Sequence, residues 1–332
     1  MDLPMSRLTT FLLKKLVRLV ILLFAVSTIS FILISASPID PVDAYLRGAG
    51  VQVGPEQREL IAQRYGLDES PPLRYGRWLA QIAQGNLGNS IIFTRPMLQV
   101  IGDRFLTSLW LMATAWILSG VVGFGLGVLA GAKQGSWIDQ AIRFYAYTLA
   151  STPTFWLALL LLIVFAVWLR VSPVCCASPA GVPVEAATFW QRIQHLILPA
   201  AALSIIGVAN IALHTRQKLI DVLHSDYALF ARAQGETNAG LIVQHGLRNI
   251  ALPAITLQFA SLSELFGGSV LAEQVFAYPG LGEATVQAGL RGDVPLLLGI
   301  VLFSAVFVFI GNTVADVAYH LIDPRIRIGG AA

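Results

Sequence analysis

The residues best suited to chemistry are few, and they are scattered. Glu264 interrupts an otherwise uncharged run between Arg248 and Glu273, with Gly267 and Gly268 one turn further on. Burying a carboxylate in lipid costs at least ~2.5 kcal/mol, so such a group faces a wet path through the protein or is a protonated or paired structural residue. His214, near the inner end of the run that follows Arg192, could join it, and His195, at the outer end of that run, has the same standing, although a lone histidine is ordinarily a satisfied structural one. Cys175 and Cys176 are adjacent, which excludes a disulfide framework and a four-ligand zinc site. Two adjacent thiols would offer a pair of soft-metal ligands, or they are incidental to a short loop. No Ser/His/Asp, Cys/His or His-Glu-x-x-His arrangement is present. Nothing here breaks or makes a covalent bond.

The elements that position these residues follow from composition. Of 332 residues, 56% are hydrophobic and only 12% charged, about half the charge of a soluble domain. That excludes a disordered tail, a nucleic-acid-binding domain and an ordinary cytosolic enzyme, and the net charge of +3 is too dispersed to recruit a polyanion. A spanning helix needs about 20 apolar residues. Uncharged runs of 21, 28, 26 and 23 residues follow Arg18, Arg104, Arg143 and Arg192. Two more lie between Arg248 and Glu273, broken only by Glu264, and between Asp293 and Asp316. The expectation is an all-α membrane protein with six transmembrane helices. The first, preceded by Lys14, Lys15 and Arg18, is too long for a cleaved signal core and reads as an anchor.

Charge sets the orientation. Segments 1–18, 133–143, 216–248 and 316–332 hold 12 Lys and Arg against 7 acids, and segments 40–104, 170–192 and 273–293 hold 10 against 11. All four lysines fall in the first set, which places both termini in the cytoplasm. The expected organisation is a cytoplasmic N-terminus (1–18), a first transmembrane helix (19–39), one larger periplasmic segment (40–104), a five-helix core (105–318) and a cytoplasmic tail (319–332). The periplasmic segment opens with Pro38, Asp40 and Pro41 and holds two short helices, one from Pro55 to Gly66 and an amphipathic one over Tyr75–Ile82 with Trp78 as interfacial anchor. Gly120, Gly123, Gly125, Gly127 and Gly131 in the second span allow helix backbones to approach closely. Pro153, Pro199 and Pro253 predict kinks or breaks in spans three, four and five.

The longest inner segment, 216–248, contains a short helix over residues 226–234, with Asp226 as N-cap and Gly235 as its terminating glycine. Leu229 and Phe230 would project apolar surface from it, toward another protein or onto the inner face of the bilayer. Ala231-Arg232-Ala233-Gln234-Gly235, then His245-Gly246-Leu247-Arg248-Asn249 and Leu252-Pro253, resemble the cytoplasmic coupling loop of ABC-importer permeases. The spacing is similar to that of the branch importing dipeptides, oligopeptides and nickel. Pro153-Thr154-Phe155-Trp156-Leu157, Phe276-Ala277-Tyr278-Pro279-Gly280-Leu281-Gly282 and Asp323-Pro324-Arg325-Ile326-Arg327 resemble the same branch, so the likeness covers nearly the whole chain. Departures are Leu229 and Phe230 in place of the family's Glu-Ala, and the absence of cations from Glu236 to Leu241.

The resemblance implies a permease subunit of the bacterial inner membrane, forming half of a pathway for a small peptide or a nickel or other metal chelate. It implies a heterodimer with a second homologous permease, two ATP-binding subunits docked on the 224–249 loop, and a periplasmic or extracellular solute-binding protein. Coupling would fall to Leu229, Phe230, Ala231, Ala233, Gly235 and Arg248, with Arg248 and Asn249 tying the returning chain to backbone carbonyls. Glu264, Gly267 and Gly268 would line the pathway, and Glu264-Leu265-Phe266-Gly267-Gly268 resembles nickel-type permeases in particular. ATP and Mg would sit on the partner chains, since Gly131-Ala132-Lys133-Gln134-Gly135-Ser136 lacks the spacing of a phosphate loop. The alternative is an ion-coupled secondary transporter using Glu264, which would transport without ATP.

Overall fold

The computed structural model describes residues 5–36, 42–43, 46, 53–65 and 69–322. The expected break at Pro38, Asp40 and Pro41, the terminating Gly66 and the Asp323–Arg327 motif lie outside them. Among the described residues the elements are helical, apart from an isolated bridge between Asn89 and Pro96. They are α1 (Met5–Ser35), α2 (Pro55–Tyr65), α3 (Pro71–Ala83), α4 (Met97–Ala132), α5 (Trp137–Ala150) and α6 (Thr154–Leu161), which continues as π-helix over Leu162–Trp168. Next come α7 (Phe189–Leu223), α8 (Asp226–Ala233), a helical and π-helical stretch over Asn238–Gly240 and Leu241–Gly246, α9 (Leu247–Ala260), α10 (Leu262–Val275), α11 (Leu281–Arg291) and α12 (Val294–Ile322).

Four stretches are long and apolar enough to cross a membrane alone: Leu13–Ser35, Met97–Ala132, Phe189–Leu223 and Val294–Val317. The third and fifth expected spans are instead bent pairs. α5 meets α6 at 110°, and the Asn238–Ala260 stretch meets α10 at 50°. The first bend falls where sequence placed it, at Ser151–Pro153, because the residue before a proline is driven out of the helical region. The second corrects the expectation. Pro253 sits inside α9, as Pro199 sits inside α7, and the bend is at Ser261. There the Ser261 hydroxyl donates to the Gln258 carbonyl at 2.8 Å, competing with the backbone ladder and bending the helix.

The chain divides into two compact units, Met1–Leu106 with Gly280–Ile310, and Thr107–Pro279 with Gly311–Ala332. In the first, α3 lies along α1. The Tyr75 hydroxyl shares hydrogen bonds of 2.8 Å with both Ser27 and Thr28, and its ring sits 5.0 Å from Phe31. Asp293, fully buried, caps α12 by accepting from the Leu296 N–H at 3.1 Å. Its other oxygen accepts from the Ser90 hydroxyl and the Ile91 and Ile92 N–H groups at 2.7, 2.8 and 3.1 Å. Arg104 donates to Glu283 at 2.8 Å while lying over the Phe93 ring. A buried charge is tolerated only with such partners.

In the second unit the glycines of α4 set the packing against α7. A Cβ at Gly123 would come within 2.9 Å of Ile211, at Gly127 within 2.6 Å of Thr215, and at Gly131 within 3.0 Å of Leu219. These three recur every fourth residue and so form one ridge of the helix. Gly125 is off the ridge, with nothing within 4 Å. α4 is also fastened to α9 by a reciprocal pair of bonds: Trp116 donates to the Gln258 carbonyl at 2.8 Å, and the Gln258 amide donates to the Trp116 carbonyl at 2.5 Å. Where no hydrophobic effect drives helices together, close backbone approach and such polar links do.

Candidate functional site

Two features of the second unit carry the expected functional residues. The first is the loop that follows α7. Ser225, not Asp226, is the N-cap residue of α8. Asp226 instead occupies the first turn, where its charge complements the helix dipole. Gly235 ends the helix at φ +91°. The Gly235 N–H donates to the Arg232 carbonyl at 2.9 Å and the Glu236 N–H to the Ala231 carbonyl at 3.1 Å, which is the Schellman arrangement. Of the helix's apolar residues, Ala228 faces inward at 1% exposure, whereas Leu229 and Phe230 stand 55% and 65% exposed. Ala231 is half-buried, Ala233 is exposed, and so is Gly235.

The returning chain is held firmly. Thr237 caps the next turn by accepting from Gly240 N–H at 3.2 Å. Leu241 is fully buried, and a Cβ at Gly246 would lie 3.0 Å from Leu219 of α7. Asn249 donates to the His245 carbonyl at 2.8 Å and to the Tyr227 hydroxyl at 3.4 Å, while Glu236 faces His245 at 3.4 Å. Asn249 therefore makes the tie expected of it. Arg248 does not: it is exposed, with no ion pair among the described residues. The result is an apolar knob, Leu229–Phe230, on a helix fixed at both ends.

One ion pair that sequence reading missed braces the same end of the unit. Arg216 of α7 donates to Asp139 of α5 through two nitrogens, at 2.5 and 2.8 Å, and the Gly135 N–H adds a third bond at 2.9 Å. Asp139 is 1% exposed. The partners are 77 residues apart, so only the Ser136 cap, whose side chain accepts from Asp139 N–H, could have drawn attention to the position.

The second feature is a cavity of about 760 Å³ lined by α4, α6, α7, α9 and α10. Glu264, Gly267 and Gly268 all border it, and so does His214. His195 is not among its lining residues; its Nδ1 lies 2.8 Å from the Gln191 carbonyl. Asn210 and Ser119 also line the cavity, and nothing in their local sequence marked them. Glu273, which seemed only to end the uncharged run, is fully buried in α10 and accepts from Ser108 at 2.6 Å.

The Phe276–Gly282 motif begins as the turn that closes α10. Tyr278 N–H donates to the Glu273 carbonyl at 2.8 Å, and Ala277 adopts φ +44°. Burial first, and the nearby Glu273 second, push the Tyr278 hydroxyl up to about 12, so it stays neutral. The Cys176 N–H donates to the Phe276 carbonyl at 2.9 Å. Cys175 and Cys176 are joined to each other as a vicinal disulfide. Of the two readings the adjacent cysteines left open, the bond removes the pair of soft-metal ligands, because both sulfurs are committed to it.

Comparison with known proteins places this geometry. Residues 123–328 match the family described as binding-protein-dependent transport system inner membrane component, and residues 8–111 match the N-terminal family of the same membrane components. The oligopeptide transport system permease AppB of Bacillus subtilis (strain 168) is 34% identical over 309 residues, covering 92% of this chain and 95% of its own. The glutathione transport system permease GsiC of Escherichia coli O6:H1 is 34% identical over 318 residues, covering 96% and 98%. A solved chain of the MetNI methionine ABC transporter, inward facing, matches with a TM-score of 0.53 at 16% identity, over 69% of this chain and 98% of that one, and shares its fold. The chain belongs to the binding-protein-dependent transport system inner membrane components: it is a membrane-embedded permease subunit of an ABC importer, in the peptide and nickel branch.

Proposed function

We propose that this chain supplies half of the translocation pathway for a small peptide and receives mechanical work from separate ATP-hydrolysing subunits through α8. The peptide cargo rests on the relatives whose names carry oligopeptide or glutathione transport. The pathway half is the cavity bordered by Glu264, Gly267 and Gly268, completed by a second homologous permease in a heterodimer. Both termini and α8 lie in the cytoplasm, in line with the excess of Lys and Arg in those segments. Two ATP-binding subunits, holding ATP and Mg, dock there, and a solute-binding protein delivers cargo from outside. Family membership leaves the ion-coupled alternative unsupported.

The observation that carries the coupling role is the exposed Leu229–Phe230 pair on a helix locked by the Gly235 turn. A groove on an ATP-binding subunit that accepts the pair would move α8 as a rigid lever. Motion would pass through the tied return segment to α7 and so to the cavity wall. Replacing Gly235 by Trp puts a Cβ at φ +91°, costing ~1–2 kcal/mol, and sets a bulky ring beside the docking face. The expected result in proteoliposomes is a membrane-inserted complex that hydrolyses ATP without peptide uptake. Normal uptake by Gly235→Trp would sink the assignment.

A further inference from the structure

Glu264 differs from the other carboxylates buried in or bordering the helical core. Asp139 is held by Arg216, Glu273 by Ser108, Glu283 by Arg104, and Asp293 by Ser90 and three backbone N–H groups. Glu264 is exposed to the cavity, and no hydrogen bond or ion pair with a described residue engages it. A carboxylate that braces nothing is not kept in an apolar span for stability, given what its desolvation costs.

The rest of the cavity narrows what that carboxylate meets. Its other polar lining comes from Ser119, Thr154, Asn210, His214 and Ser261, the remainder being glycine and aliphatic side chains, and it holds no lysine or arginine. Among the described residues that line it, Glu264 is therefore the one fixed negative charge in an apolar-walled space of about 760 Å³. Among the described residues no three metal-ligating side chains group together, so one carboxylate and one imidazole fall short of a metal-ion cage. An organic ammonium needs no such cage. It requires one acceptor anion and a neutral wall for the attached carbon chain.

Building on the peptide-cargo reading, we propose that Glu264 is a specificity residue that receives the terminal α-ammonium group of the peptide during passage. Side chains differ between peptides, but the α-ammonium group recurs. Capture of a chain terminus is a general solution for recognising peptides regardless of sequence. The aliphatic walls, including Leu203, Leu257 and Leu271, then accept varied side chains without selecting among them. Gly267 and Gly268 lie within one turn of Glu264, and Gly267 has nothing within 4 Å of where a Cβ would stand, so a peptide backbone can pass close to α10.

The test uses the purified permease–ATPase complex in nanodiscs without its binding protein, so that only contacts within the membrane subunits are read. Saturation-transfer NMR is recorded with tri-alanine and with N-acetyl-tri-alanine. Wild type is expected to favour the free amine by about tenfold, the worth of one charge-assisted hydrogen bond. Glu264→Gln lowers the tri-alanine signal to the N-acetyl level and leaves the N-acetyl signal unchanged, whereas Glu264→Asp retains the preference. Equal signals in wild type, or an unchanged preference in Glu264→Gln, would overturn the role of Glu264. ATP- and binding-protein-dependent uptake of tri-alanine by the same wild-type preparation reports the cargo reading separately. Uptake without amine preference in the cavity removes Glu264 alone; no uptake of any peptide removes the peptide reading together with it.

Discussion

Gly127→Ala and Gly125→Ala are the same substitution two residues apart on one helix, and the structure assigns them opposite outcomes. At Gly127 the new Cβ would stand 2.6 Å from the Thr215 Cβ and 2.7 Å from the Ala212 carbonyl oxygen. Non-bonded carbons settle at about 3.5–4.0 Å, so α4 and α7 would have to separate by roughly 1 Å. Neither obstacle is the free end of a flexible side chain. One is a Cβ fixed to its helix and the other is backbone, so the clash cannot be relieved by a rotamer change. Overpacking of this kind costs ~1–3 kcal/mol. At Gly125 there is nothing within 4 Å, and only the helix-propensity gain of ~1 kcal/mol remains. That gain is common to both variants, so their difference isolates the steric cost.

The assay is unfolding by SDS titration in bicelles, comparing the two variants with wild type. Gly125→Ala is expected to match or exceed wild type. Gly127→Ala should fall ~1–3 kcal/mol below Gly125→Ala. Gly123→Ala, with its nearest contact at 2.9 Å, should also fall below Gly125→Ala. Equal stability of Gly127→Ala and Gly125→Ala would refute the account of how α4 meets α7.

Two further perturbations probe the buried charges. Arg216→Ala leaves Asp139 buried with only the Gly135 N–H and the more distant Arg143 at 3.8 Å. Stranding a buried charge costs ~3–5 kcal/mol; the same titration should show a loss in that range, and an unchanged midpoint would show that the pair contributes nothing. Asp293→Ala removes the α12 cap and the acceptor for Ser90, Ile91 and Ile92. Limited chymotryptic digestion should then cleave after Phe93, in the loop that Asp293 holds, faster than in wild type, and an equal rate would contradict the clamp.

Much of the arrangement was legible because it depends on local pattern. The uncharged runs located the four helices long and apolar enough to cross a membrane and the two bent pairs. The glycines of the second span announced a close helix contact, although only the structure separated Gly123, Gly127 and Gly131, which meet α7, from Gly125, which has nothing within 4 Å. Gly235 was readable as a helix end because a left-handed position selects for glycine. What escaped was non-local or set by competing side chains. The Arg216–Asp139 pair joins two helices that no short-range rule relates. The bend at Ser261 comes from a hydroxyl that competes for a carbonyl, a weaker sequence signal than the proline at 253 that drew attention away from it. Glu273 read as the boundary of a span because sequence shows a charge but not the Ser108 hydroxyl that satisfies it.

The proposed coupling of this permease to ATP-hydrolysing partners through α8 requires those partners in the complex, and subunit composition reports on them. The tagged chain would be extracted from its native membrane in mild detergent and its companions identified by mass spectrometry. Co-purification of a second permease and ATP-binding subunits is expected. Recovery of the chain alone, folded and able to transport in vesicles without ATP, would contradict it.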